Sequence, residues 1–91
     1  MRAKYTEVLK KYLSEKIKDE RKRRKKTQTE MADELEMDVR SYVELEYGKS
    51  LCGSVTLVLF LTRSGVDVEV LLQEAREILD AEDRKKKSNK Q

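Results

Sequence analysis

Two helix-start signals constrain this chain more than any other feature of its sequence. Thr27 and Glu30 form a T-x-x-E pattern, which is typical of a capping box at the start of an α-helix. Asp38 is a second capping residue, placed where a new helix can begin. Gly48 then supplies a residue that readily adopts the left-handed conformation of a helix end. The segment 27–48 is therefore predicted to be two short helices, and the tight turn between them makes them cross steeply.

Apolar periodicity predicts three further helices around this pair. They are expected over residues 5–24, 54–64 and 67–83. Ser54 and Asp67 are the predicted N-caps of the last two. The chain has no Pro and no strand-like alternation bounded by turn residues, so a single all-α domain of five helices is expected.

The composition argues against several classes of function. There is no His and a single Cys, Cys52, which removes the commonest general base, most zinc sites and an internal disulfide. No nucleophile–base pair or phosphate loop is present, so we expect neither an enzyme nor a site for a metal, a cofactor or a small-molecule ligand.

The longest apolar run, Val55–Leu61, is too short to span a membrane, and the N-terminus lacks a signal-peptide core. A cytoplasmic protein with a half-buried, reduced Cys52 is expected.

The net charge of +3 conceals a strong segregation along the chain. Residues 1–26 hold twelve Lys or Arg against four Asp or Glu, and residues 84–91 hold five basic groups and no acid. Between them, residues 27–83 hold four basic and fourteen acidic groups. Basic ends suit a polyanionic partner, and they suit equally well a solvated helix surface followed by a disordered tail.

The chain also resembles a known family, the Cro/phage-repressor (XRE) class of helix-turn-helix regulators. The resemblance rests on four pieces in the family's order: Arg21, Thr27-Gln28-x-x-Met31-Ala32-x-x-Leu35, Glu46-x-Gly48-Lys49, and Gly65-Val66-Asp67-Val68-x-x-Leu71-Leu72. It implies a five-helix lambda-repressor-like DNA-binding domain over residues 14–83, with the helix-turn-helix at about 27–48. Residues 1–13 would then be a helical extension, either continuous with the first helix or kinked at Ser14. The last helix would be lengthened, and residues 84–91 would be a disordered basic tail.

The resemblance further implies which residues contact double-stranded DNA. Gln28 would bond to a phosphate, while Arg40 would pair with guanine, Glu44 with cytosine, and Val39 would pack on a thymine methyl. The complete implied set is Gln28, Val39, Arg40, Ser41, Val43, Glu44, Lys49 and Ser50. Arg21 and Glu46 would form a structural ion pair that orients the reading helix.

Two features depart from the family's pattern. Glu36 and Lys25 stand where the family commonly has Gly, and a left-handed Glu36 would cost roughly 1 kcal/mol. The reading segment 38–46 carries three acids and one Arg, which is unfavourable beside phosphates.

The fourth predicted helix is apolar on two faces. One face carries Leu57, Phe60 and Leu61, and the opposite face carries Val55, Val58, Leu59 and Thr62. A helix apolar on both sides is buried on both sides. The second face is therefore expected to be covered by the extension, by the lengthened last helix, or by a second copy in a homodimer.

Two functions fit these patterns. The first is a sequence-specific DNA-binding transcriptional regulator, dimeric on two half-sites, whose basic residues 21–26, Lys49 and tail supply salt-dependent affinity. The second is a protein-interaction module on the same scaffold, such as an antitoxin-like or anti-repressor partner. The acidic middle and the second apolar face of the fourth helix favour this alternative.

Overall fold

The computed structural model describes residues 2–89, with side chains described for residues 4–85. Within this range the chain forms five α-helices and no strand, which confirms the all-α, five-helix prediction. The helices are α1 (Arg2–Arg23), α2 (Gln28–Glu34), α3 (Val39–Glu46), α4 (Ser54–Arg63) and α5 (Val68–Asn89). None of the five has the length and apolar content that a membrane span requires.

One apolar core lies where the five helices meet. Its buried members are Ile17, Met31, Ala32, Leu35, Tyr42, Leu45, Phe60 and Leu71. Every helix contributes at least one of them. Because α2 and α3 are only seven and eight residues long, their stability comes from this packing and from their caps rather than from intrinsic propensity.

The first three helices end in the same way. Their left-handed terminators are Lys25, Glu36 and Gly48, with φ of 57°, 56° and 75°. In each case the amide of the next residue donates a hydrogen bond to the carbonyl five residues earlier. These bonds run from Lys26 to Arg21, from Met37 to Ala32 and from Lys49 to Glu44. The left-handed conformation predicted for Gly48 is confirmed, and the Glu36 position is left-handed as well. A non-Gly residue there costs roughly 1 kcal/mol, so two of the three turns carry backbone strain.

The predicted extension is continuous with the first helix. α1 runs without a break through Ser14, whose buried hydroxyl donates to the carbonyl of Lys11 at 2.9 Å. Residues 2–13 are therefore part of α1 and not a separate helix.

The extension packs against α5. The Tyr5 hydroxyl donates to Asp83 Oδ1 at 2.7 Å, and the Tyr12 hydroxyl donates to Glu74 Oε1 at 2.7 Å. Lysines reinforce both contacts, because Lys4 bonds to the same oxygen of Asp83 and Lys16 to the same oxygen of Glu74. The lengthened parts of α1 and α5 thus support each other.

Two predicted boundaries are wrong. The N-cap of α4 is Gly53, and no side chain caps this helix, so the helix starts at Ser54 rather than being capped by it. α5 continues to Asn89, so the tail predicted to be disordered over residues 84–91 is helical over 84–89; residues 90 and 91 lie outside the described residues. The predicted cap Asp67 is confirmed, since its Oδ1 accepts from the amide of Val70 at 3.2 Å.

The second apolar face of α4 is largely open. Val55 is 72% exposed and Val58 is 58% exposed, and Thr62 is exposed beside them. Leu59, which the sequence placed with these residues, is half-buried and packs against the core. Cover of this face by the extension or by α5 is therefore wrong for Val55, Val58 and Thr62 within the described chain.

Candidate nucleic-acid interface

Local caps fix where α2 and α3 begin. The amide of Glu30 donates to Thr27 Oγ1 at 3.1 Å, and the amide of Thr27 donates to Glu30 Oε1 at 2.8 Å, so the predicted capping box is confirmed. The amide and hydroxyl of Ser41 donate to the carboxylate of Asp38 at 2.8 and 3.1 Å. These bonds lower the pKa of Asp38. Both caps confirm predictions, and they fix the first residues of α2 and α3.

The predicted ion pair between α1 and α3 is present. Arg21 Nε donates to Glu46 Oε2 at 2.5 Å, and Nη2 donates to Oε1 at 3.3 Å. Arg21 Nη1 also donates to the carbonyl of Lys26 at 3.0 Å, so the same guanidinium holds the turn after α1. Only 2% of the Glu46 side chain is exposed, which makes this a buried pair rather than a surface contact.

The carboxylate of Glu46 gathers two more donors. The Tyr42 hydroxyl donates to Oε2, and Gln28 Nε2 donates to Oε1 at 3.2 Å. Burial raises the pKa of Glu46, but the bonds from Arg21, Tyr42 and Gln28 outweigh it and hold the pKa below its ordinary value of 4.5. Burial, with the bond to Glu46, raises the pKa of Tyr42. One carboxylate therefore joins α1, α2 and α3.

Gln28, whose implied phosphate contact stays a prediction, also makes a contact within the protein. Its side chain is half-buried and turned toward Glu46. Sequence reasoning missed this contact, because the two residues lie eighteen positions apart and no local pattern links them. Gln28 therefore belongs to the network that orients α3.

α3 presents the edge that the sequence placed outward. Val39, Arg40, Ser41 and Glu44 are exposed, while Val43 is half-buried. Tyr42 and Leu45 lie on the opposite side, in the core. Lys49 and Ser50, which follow the helix, are exposed as well. Of the eight residues implied at the DNA, six are freely accessible in one region around α3.

One of the three acids in the reading segment is turned inward. Glu46 is buried against Arg21, whereas Asp38 caps α3 but stays exposed. The bonds from Ser41 that cap the helix lower the pKa of Asp38, so they favour its charged form. Glu44 is also exposed. Two of the three acids counted in the sequence therefore lie on the accessible surface around α3.

The basic run at the end of α1 is also mostly paired. The pairs are Arg21 with Glu46 at 2.5 Å, Arg23 with Glu20 at 2.6 Å, Arg24 with Glu34 at 2.6 Å and Lys26 with Glu34 at 3.7 Å. Among the described side chains, Lys22 and Lys25 are exposed and make no ion pair. The uncompensated positive charge of residues 21–26 is therefore concentrated on these two lysines.

Sequence reasoning also missed Arg63, the last residue of α4. Its Nη1 donates to the carbonyl of Glu34 at 2.8 Å and to Glu36 Oε2 at 3.1 Å. These partners lie 29 and 27 residues away, so nothing in the local sequence indicates them.

No protein-family model matches the chain, and no curated protein or solved structure matches it either. The five-helix fold and the geometry around α3 are therefore what supports a function for this chain.

Proposed function

We propose that this protein is a sequence-specific DNA-binding regulator that reads the major groove with α3. The observation that carries the proposal is the outward edge of Val39, Arg40 and Glu44 on a helix anchored by the buried Arg21–Glu46 pair. An α-helix fits the major groove of B-DNA, which is about 12 Å wide. A reading helix must be held rigidly by its scaffold, and three helices meet at the Glu46 carboxylate to do so.

The exposed residues around α3 fall into two groups, those suited to contact bases and those suited to contact the DNA backbone. Arg40 can bond bidentately to guanine O6 and N7, Glu44 can accept from cytosine N4, and Val39 can pack on a thymine methyl. Lys22, Lys25 and Lys49 are exposed cations near the ends of α1 and α3 and supply the phosphate contacts. Ser41 and Ser50 are exposed hydroxyl groups that add contacts to the backbone.

The open face of α4 supports a homodimer as the binding form. Two branched apolar side chains, Val55 and Val58, are exposed on successive turns of one short helix. Contiguous exposed apolar surface marks protein contacts, and these two side chains are neighbours on one face of α4. A two-fold dimer would place two copies of α3 on two half-sites about one helical turn apart. The protein would then act by occupying a promoter, without catalysis.

Selection from random duplex DNA, followed by titration of the selected sequence, tests the proposal. We expect binding that weakens steeply as salt rises from 50 to 200 mM. Arg40→Ala should weaken binding to the selected sequence by about fivefold or more, with a loss of preference at one base position, because a bidentate contact is worth about 1–3 kcal/mol. Arg76→Ala, which removes the same charge from α5, is the matched control and should bind like the wild type.

Failure to bind any duplex at 50 mM salt would overturn the proposal. Equal losses of affinity in Arg40→Ala and Arg76→Ala would also contradict it. They would show that the positive charge of Arg40 acts only through general attraction to DNA and not through contact with a base. In either case the exposed valines of α4 favour the alternative function, a module that binds another protein through Val55 and Val58.

A further inference from the structure

The turn between α2 and α3 has an unusual construction. Two amides close it, since Met37 donates to the carbonyl of Ala32 at 2.9 Å and Glu36 donates to that of Asp33 at 3.1 Å. Glu36 itself is left-handed, with φ of 56°, a conformation that its side chain disfavours. The two bonds use the carbonyls of Ala32 and Asp33, and the carbonyl of Glu34 is the next one at this helix end.

α4 supplies the partner for that carbonyl. A single nitrogen of Arg63, Nη1, lies 2.8 Å from the Glu34 carbonyl and 3.1 Å from Glu36 Oε2. A cation beside the C-terminus of a helix also interacts favourably with the helix dipole. The one side chain thus holds both the end of α2 and the left-handed residue of the turn.

This contact acts through geometry rather than through the strength of its ion pair. The side chain of Arg63 is 43% exposed and that of Glu36 is 63% exposed, so solvent weakens the charge attraction between them. The contact fixes the direction in which the chain leaves the turn. Because α3 begins three residues after Glu36, the path of the turn determines where its reading edge points.

We propose that Arg63 is a positioning residue that clamps the α2–α3 turn from α4 and thereby sets the orientation of the reading helix. The proposal rests on the proposed DNA-binding function and identifies a residue that positions the helix of that same site. It also gives Glu36 a role, since a Gly there would relieve the backbone but remove one of the two acceptors for Arg63. Arg63 itself makes no contact with DNA.

Paired substitutions test the clamp in the full-length protein. Arg63→Met keeps the length and helix preference of the side chain, and Arg76→Met makes the same charge change on α5, away from the turn. On the selected DNA, Arg63→Met should bind at least fivefold more weakly at every salt concentration, with reduced base preference, while Arg76→Met stays within twofold of wild type. The slope of log Kd against log salt should be the same in all three proteins.

The salt slope separates positioning from direct contact. If Arg63→Met lowers the slope by about 0.9, Arg63 neutralises a phosphate and the positioning role is wrong. Wild-type affinity and base preference in Arg63→Met would overturn it as well.

Amide hydrogen exchange tests the clamp without DNA. Arg63→Met should speed exchange at the amides of Glu36 and Met37 at least threefold and leave the amide of Leu45 unchanged, while Arg76→Met should change none of them. Unchanged exchange at Glu36 and Met37 in Arg63→Met would overturn the clamp. If the wild type binds no DNA, the proposed function falls, and this exchange result alone still decides whether Arg63 holds the turn.

Discussion

Arg21 of α1 and Glu46 of α3 are joined by two hydrogen bonds, from Nε to Oε2 at 2.5 Å and from Nη2 to Oε1 at 3.3 Å. The carboxylate is almost completely buried and accepts from Tyr42 and Gln28 as well. A buried charge is stable only while its partners stay in place. The pair therefore makes the placement of α3 and the stability of the domain depend on the same contact.

Substitution of Arg21 should destabilise the fold. Arg21→Met leaves the buried Glu46 carboxylate without its cation, and we expect a loss of about 2–4 kcal/mol in the free energy of unfolding, measured by urea denaturation. Arg23→Met is the matched control, because Arg23 is exposed and pairs only with its helical neighbour Glu20 among the described side chains. The control should leave the urea midpoint unchanged. Equal midpoints for the two variants would contradict a structural role for Arg21.

The stability of the protein should fall with acid through Glu46. Its folded pKa lies below the ordinary 4.5, so its contribution is complete above about pH 4.5 and is lost as pH falls through the folded pKa. Urea denaturation between pH 7 and pH 3 should show Glu46→Gln less stable than wild type at pH 7, with the difference shrinking toward pH 3. Glu15→Gln, an exposed position on α1, should follow the wild-type curve. A difference that stays constant across this range would refute the linkage.

The three glycines should respond to alanine in a fixed order. Gly48 has φ of 75°, and an added Cβ would lie 3.4 Å from Ser14 Oγ, so Gly48→Ala should cost about 1–2 kcal/mol. Gly65 has φ of 80° with open space around it, so Gly65→Ala should cost about 1 kcal/mol. Gly53, at φ of −72° and with nothing within 4 Å, should change stability little. Thermal unfolding of the three variants measures the order, and a Gly53→Ala loss as large as that of Gly48→Ala would show that the left-handed turn is not the cause.

Two neighbouring substitutions on α4 should separate assembly from folding. Val58→Lys places a charge on the exposed face, so light scattering should show it as a monomer with wild-type helicity where the wild type is a dimer. Leu59→Lys places a charge against the core and should lower the unfolding temperature instead. A wild type and Val58→Lys of equal, monomeric mass would exclude this face as the dimer contact.

The elements that the sequence predicted best are those set by neighbouring residues. Thr27, Asp38 and Gly48 act through bonds to backbone groups within a few residues, and such signals survive in the sequence. The end of α5 was predicted less well, because a polar, lysine-rich segment is compatible with both a helix and a disordered tail. The predicted cap at Ser54 failed because Gly53 takes that position.

The sequence predicted which residues of α3 face outward, but it did not predict which residues form hydrogen bonds and ion pairs around them. The outward edge of α3 follows from helical periodicity, which puts Tyr42 and Leu45 inside and Arg40 outside. The contacts that decide which charges remain available join distant residues, such as Arg24 with Glu34 and Gln28 with Glu46. Long-range pairs of this kind leave no periodic trace in a single sequence.

The unbroken course of α1 has a practical consequence. Lys4, at one end of the helix, contacts Asp83, and Arg21, near the other end, contacts Glu46. The two residues are seventeen positions apart on the helix, a rise of about 25 Å at about 1.5 Å per residue. A fluorophore attached beside the first turn of α1 would therefore lie far along the helix from the Arg21–Glu46 pair, which makes that end a suitable handle for anisotropy measurements.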